Sequence, residues 1–144
     1  MMIMIVTAAV VFILDQGTKY FFGLTDGILI PGVAQISFVA NRGISLGLLT
    51  GSDSWALTLI GAAALAAAVF FLGRHAGGKW QRVCLGMVIG GGVGNLTDRL
   101  RLGYVTDFID LLFMRFYVFN VADAMIVVGM ILLGISLLME ERRG

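Results

Sequence analysis

The sequence predicts an all-α membrane protein: a bundle of four transmembrane helices with a small β-rich extracytoplasmic element. Three observations carry this expectation. Of 144 residues, 59% are hydrophobic and 13% are charged, and the mean hydropathy is +0.98. Soluble domains hold about 45–50% apolar and about 25% charged residues, and a chain this short leaves too much of its surface wet to hide such a composition in water. Four apolar stretches come close to the ~20 residues that carry a helix across a ~30 Å hydrocarbon layer. Period-two alternation is absent from those stretches, so strands closed into a membrane barrel are not indicated.

In chain order, the first stretch runs from Met1 to about Phe22 and meets Asp15 and Lys19 late. It has no Lys or Arg ahead of its apolar run and no small-residue cleavage site after it, so it reads as a retained helix rather than a cleaved leader. Residues 23–53 carry the turn signals Asp26-Gly27 and Pro31-Gly32. They also hold the alternating run Ile36-Ser37-Phe38-Val39, which predicts a small extended or β-rich element at the membrane surface. The second stretch, Ser54–Gly73, is free of charge. Its alanine run, Ala62–Ala68, predicts close packing against another helix. The third span is expected at about 82–100, where Gly86, Gly90 and Gly94 recur every four residues as one smooth stripe. A connection follows at about 101–120, and the fourth span is expected at about 121–139. All of residues 1–144 belong to one membrane domain on this reading.

Charge sets expectations for partners and orientation. The net charge is +1 with no basic cluster, so nucleic acid is not an expected partner. One cysteine, Cys84, cannot form a disulfide within the chain. A cytoplasmic N-terminus places Arg74, Lys79, Arg82, Arg142 and Arg143 inside, which is five of the ten basic residues. They sit in short segments beside helix ends, where the positive-inside effect acts. Both termini are therefore expected in the cytoplasm.

Alternating crossings bring the end of the first span, the end of the third and the start of the fourth to one membrane face. Asp15, Lys19, Asn95, Asp98, Arg99, Asn120 and Asp123 meet there in either orientation. Asp15 and Lys19 are spaced for a helical ion pair. Asn95 and Asp98 share a helix face, as do Asn120 and Asp123, which suggests carboxylates backed by amides. An acid one turn inside an apolar helix, such as Asp123, is a functional hypothesis by default. The only histidine, His75, lies in the opposite loop, and Ser45, Thr18 and Thr106 have no base beside them but carboxylates or Lys19. Two carboxyl groups held close cannot both ionise; one keeps a proton while the other activates water. Neither a metal nor a cofactor is expected. Spacing alone leaves Asp98, Asp107 and Asp110 open as the partner of Asp123, with Asp98 beside Arg99 reading as an ion pair. A small transport or ion-binding bundle, using the acids as a proton relay, is the alternative.

Five blocks follow one another: Asp15-Gln16-Gly17-Thr18-Lys19, Asn41-Arg42-Gly43-Ile44-Ser45-Leu46-Gly47, Gly94-Asn95-Leu96-Thr97-Asp98-Arg99, Gly103-Tyr104-Val105-Thr106-Asp107-Phe108-Ile109-Asp110 and Phe119-Asn120-Val121-Ala122-Asp123. In order and spacing they closely resemble the motifs of the bacterial lipoprotein signal peptidases, or signal peptidase II, over about residues 11–130. Leu46 stands where many members carry Phe, and Tyr117 near a frequent Pro. The resemblance implies an aspartic endopeptidase that removes the signal peptide from diacylglyceryl-modified prolipoproteins, cutting just before the lipidated cysteine. It implies Asp107 and Asp123 as the catalytic pair. It implies Asp15, Lys19, Asn41, Gly43, Asn95, Asp98, Arg99, Asn120 and Ala122 as substrate-binding or site-supporting residues. It also implies a multi-pass protein of the bacterial cytoplasmic membrane, acting as a monomer among membrane lipids, with the site toward the outer leaflet.

Overall fold

A computed structural model describes residues 1–23, 25–43, 54–113 and 117–141. The expectations that touch Ser45, Leu46, Arg142 and Arg143 lie outside the described residues. Among the described residues there are four helices and four strands: α1 (Met2–Phe22), β1 (Gly27–Ile30), β2 (Ala34–Asn41), α2 (Ser54–His75), α3 (Lys79–Leu102), β3 (Val105–Leu111), β4 (Val118–Phe119) and α4 (Val121–Glu141).

Helix α3 is the hub, with α1, α2 and α4 all packed against it. Its glycines explain how. A Cβ on Gly86 would lie 2.6 Å from the Met4 carbonyl oxygen, and one on Gly90 would lie 2.5 Å from that of Ala8. The stripe therefore faces α1 and lets the two backbones touch. Gly91 meets α4 in the same way, 2.5 Å from the Ala122 carbonyl oxygen, and Gly92 meets Leu65 of α2. Three neighbours at glycine distance leave α3 little contact with surrounding lipid. Helices α1, α2 and α4 are long and apolar enough to cross a membrane, whereas α3 is not, by composition. A helix that faces protein rather than hydrocarbon has no need of an all-round apolar surface. The outer faces are apolar: Val6 and Val10 on α1, Leu59 and Phe71 on α2, Ile131 and Leu138 on α4 all stand exposed. The protein is embedded in a membrane.

The alanine run of α2 does not pack as its composition suggests. Leu57 and Thr58 are buried, while Ala63, Ala64, Ala66 and Ala67 are exposed. Ala64 and Ala68 instead line an apolar cavity of about 290 Å³ between α2, α3 and α4. At the far end of the bundle, Gln81 ties two helices together. Its Oε1 accepts the Gly78 N–H at 2.9 Å at the start of α3, and its Nε2 donates to Glu140 of α4 at 2.6 Å.

The strands form one antiparallel sheet in the order β1-β2-β3-β4. Pro31-Gly32 makes the β1–β2 turn, closed by the Val33 N–H on the Ile30 carbonyl at 3.0 Å. Gly32 has φ 72°, the left-handed value that the third residue of a type II turn requires. The sheet is larger than residues 23–53 predict, because β3 and β4 come from the connection expected at 101–120. Gly103, at φ 77°, ends α3 in the left-handed region and turns the chain directly into β3. Phe108 anchors that strand to the bundle by stacking on Phe22 at the end of α1, with ring centroids 5.8 Å apart.

Candidate active site

Each aspartate of the expected pair is held on a short, well-fixed stem. Asp107 sits in β3, buried, where the β2–β3 register pairs Val39 with Asp107 and Asn41 with Val105. Asn41 is thus the diagonal neighbour of Asp107 on one face of the ladder, and its Nδ2 donates to Asp107 Oδ2 at 2.8 Å. The Gly43 N–H binds the other end of that amide, Asn41 Oδ1, at 3.0 Å, which fixes the direction of donation. Asp123 sits in the first turn of α4. Asn120 caps this helix: its Oδ1 accepts the Asp123 N–H at 2.9 Å.

Two asparagine amides join the carboxylates. Asn95 Nδ2 donates to Asp123 Oδ1 at 2.7 Å. Asn120 Nδ2 donates to Asp107 Oδ1 at 2.6 Å and reaches Asn95 Oδ1 at 3.1 Å. The path from one acid to the other is therefore Asp107–Asn120–Asn95–Asp123. The expected pairing of each acid with the asparagine three residues before it is corrected here. Asn95 serves Asp123 rather than Asp98, and Asn120 serves Asp107 through its amide nitrogen while capping Asp123 through its oxygen. Both Asp107 oxygens accept amide protons. Among the described residues, no hydrogen bond is recorded to Asp123 Oδ2.

Beneath the pair lies a buried charge cluster. Lys19 Nζ is 2.8 Å from Asp15 Oδ2 and 3.0 Å from Asp98 Oδ2, and donates to Asn95 Oδ1 at 2.9 Å. The helical Asp15–Lys19 pair is thus present, but Asp98 pairs with Lys19 and not with its neighbour Arg99. Both ion pairs among the described residues belong to Lys19. Gln16, a residue the motif spacing did not single out, bridges the same carboxylates, with Nε2 at 3.2 Å from Asp15 Oδ2 and 3.1 Å from Asp98 Oδ1. Its position beside Asp15, and 82 residues from Asp98, gave no signal by periodicity. Asp15 Oδ1 accepts the Ala122 N–H at 3.0 Å, and Asp98 Oδ2 accepts the Thr106 N–H at 3.0 Å. Gly94 makes room for this: a Cβ there would collide with the Asp15 carboxylate. Breaking a buried ion pair by removing one partner costs roughly 3–5 kcal/mol, so the cluster resists rearrangement. Arg99 makes no ion pair with the cluster among the described residues, but its charge couples to Asp123, Asp107 and Asp98, and with Asn95 it lines the polar end of the apolar cavity.

Electrostatics also act on Asp107. Burial pushes its carboxyl up to about 7, opposed by the Asn41 hydrogen bond, aided by the charge of Asp123, and opposed again by Asn120 and by Lys19. A carboxyl that titrates near neutrality can carry a proton and give it up within one reaction cycle.

The family described as signal peptidase (SPase) II matches residues 7–139. The chain belongs to the signal peptidase II family. It is 39% identical over 116 residues to a lipoprotein signal peptidase of Streptococcus agalactiae, covering 80% of this chain and 75% of the relative. It is 40% identical over 116 residues to one of Streptococcus pyogenes, covering 80% and 76%. Among solved structures, it is similar to a bacterial membrane enzyme determined by the in meso method at 2.3 Å resolution. The TM-score is 0.84 at 32% identity, over 96% of this chain and 88% of the other. A second such structure, at 1.9 Å resolution, gives a TM-score of 0.81 at 33% identity, over 94% and 92%. As a member of the signal peptidase II family, the chain is an aspartic-type peptidase, a hydrolase that works from within the membrane.

Proposed function

We propose that this chain removes the signal peptide from diacylglyceryl-modified prolipoproteins, cutting before the lipidated cysteine, with Asp107 and Asp123 as its catalytic pair. The observation that carries the reading is the pair of amides, Asn95 and Asn120, that hold one oxygen of each carboxylate in a common frame. The lipoprotein signal peptidases among its relatives supply the substrate class. In this mechanism Asp107 holds the proton, and Asp123, as the carboxylate, takes one from water. The water oxygen attacks the scissile carbonyl carbon as Asp107 protonates the carbonyl oxygen. The tetrahedral diol then collapses: the C–N bond breaks, the proton held by Asp123 passes to the cysteine nitrogen, and the diol proton returns to Asp107.

On this reading residues 1–144 form one membrane domain with four spans, α3 being the protein-facing fourth. Both termini lie in the cytoplasm, and the sheet and site lie toward the outer leaflet of the bacterial cytoplasmic membrane. The apolar cavity beside Asn95 and Arg99 suits an apolar segment of the precursor. The working unit on this reading is a monomer.

The test is cleavage of a diacylglyceryl-modified precursor beside its unmodified twin, by the wild type and by purified Asp107→Asn and Asp123→Asn. Cleavage of the modified precursor by the wild type alone is expected, unchanged by a chelator. Full cleavage by either variant would refute the pair.

A further inference from the structure

Lys19 has three ammonium donors and three close acceptors: Asp15 Oδ2, Asp98 Oδ2 and Asn95 Oδ1, at 2.8, 3.0 and 2.9 Å. Two of the acceptor residues each lead to one aspartate-bearing segment, and the third leads to both. Asp15 captures the N–H of Ala122, the residue immediately before Asp123. Asp98 captures the N–H of Thr106, the residue immediately before Asp107. Asn95 holds Asp123 through its nitrogen and, through its oxygen, the Asn120 amide that holds Asp107. The start of α4 and the start of β3 are thus clamped in the same way, one residue upstream of each acid, and the two clamps share one cation.

We propose that Lys19 is a positioning residue that sets the spacing and relative orientation of Asp107 and Asp123, by tying together the two carboxylates that grip their backbones. The role rests on the assignment of Asp107 and Asp123 as the catalytic pair. Two features favour it over a purely structural ion pair. A surface-type Asp15–Lys19 pair within α1 would be complete by itself, yet Lys19 is 7% exposed and spends its other two donors on α3. The two carboxylates it joins lie on different helices, and each spends an oxygen on a backbone N–H next to an acid rather than on its own helix. Neutralising Lys19 leaves Asp15 and Asp98 facing each other with only the neutral Gln16 between them. The charged groups facing the ammonium are Asp15 from α1, Asp98 from α3, Asp107 from β3 and Asp123 from α4; Arg99 of α3 is a second cation coupled to Asp98, Asp107 and Asp123.

The experiment is steady-state cleavage of a diacylglyceryl-modified precursor by purified Lys19→Met across a pH series. The expected result is a kcat lower by about 100-fold, with KM within about three-fold of wild type, and a basic limb displaced to higher pH because one of the cations that favour ionised Asp107 is gone. A role in folding alone would lower the yield or Tm but leave kcat per folded molecule and the limb in place; that result overturns the proposal. If Lys19→Met does not fold, Asp98→Asn decides. It keeps an oxygen for the Thr106 N–H and leaves the Asp15–Lys19 pair, so kcat is expected to fall at least ten-fold without a rise in KM, and wild-type kcat overturns the proposal. Asp107→Asn and Asp123→Asn run alongside. If they still cleave, the assignment of the pair fails; if they are inactive while the Lys19 variant matches wild type, only the clamp fails.

Discussion

Asn95 and Asp123 stand 28 residues apart and share a 2.7 Å hydrogen bond from amide nitrogen to carboxylate oxygen. The direction of that bond is set on the other side of the amide. Asn95 Oδ1 accepts from Lys19 Nζ and Asn120 Nδ2, so the nitrogen is the only end left to face Asp123. An isosteric Asn95→Asp change keeps the acceptor and removes the donor, placing a third acid against Asp123. A hydrogen bond to a charged group contributes about 1.5–3 kcal/mol, which corresponds to roughly ten- to hundred-fold in rate. Asn95→Asp is expected to lower kcat by at least that factor, read as cleavage of a lipid-modified precursor by protein whose Tm in detergent is checked in parallel.

The pH behaviour follows from Asp107. Its folded value of about 7 lies above the ordinary 3.8, with burial as the first cause. Below about pH 7 the proton needed on the scissile carbonyl is present, and above it that proton is progressively lost. Activity is therefore expected to decline as pH rises through about 7. The stability consequence has the same sign. The folded state binds the proton more tightly than the unfolded one, so the group costs stability as pH rises from about 4 to about 7. Asp107→Asn, which cannot ionise, escapes that cost. The Tm difference, variant minus wild type, is expected to grow more positive from pH 4 to pH 8; a constant or falling difference would contradict the raised carboxyl.

Much of this site was legible in the sequence because helix parity is insensitive to detail. Helices that alternate in direction bring Asp15, Asn95 and Asp123 to one end of the bundle whatever the tilt of each helix. The Asp15–Lys19 pair follows from one turn of α1. Other features were not legible because they depend on which neighbour a side chain finds. Asn95 and Asn120 exchange partners across the bundle, and Asp98 prefers Lys19 to Arg99. Strand β3 was hidden because Val105–Phe108 is buried on both faces, and a strand covered on both sides loses its alternation. That burial is also what makes Asp107 unusual, so the signal that would have chosen it over Asp110 was the one that the sequence did not carry.

Gly94 tests whether the glycine stripe serves packing or the site. Gly86 and Gly90 meet α1 backbone and aliphatic atoms, but Gly94 meets the Asp15 carboxylate. A methyl group there must displace the acid that holds the Ala122 N–H. Overpacking typically costs about 1–3 kcal/mol, and here the displaced group is also part of the clamp. Gly94→Ala is expected to lower Tm and to reduce the kcat of the folded fraction at least ten-fold. Gly134→Ala is the control, because a Cβ there meets nothing within 4 Å; it is expected to leave kcat unchanged and not to lower Tm.

Asn120 performs two tasks with two atoms, and substitution can separate them. Its oxygen caps α4 at the Asp123 N–H, and its nitrogen donates to Asp107 Oδ1. Serine caps helices about as well as asparagine, while alanine loses about 1 kcal/mol at such a position. Serine has no second group to reach Asp107. Asn120→Ser and Asn120→Ala are therefore expected to share a similar loss of kcat, ten-fold or more, while Asn120→Ala is less stable than Asn120→Ser by about 1 kcal/mol. Chemical denaturation in detergent reads the stability difference, and precursor cleavage reads the rate. If Asn120→Ser retained wild-type kcat, the amide donated to Asp107 would have no part in the chemistry, and the Asp107–Asn120–Asn95–Asp123 path would be structural only.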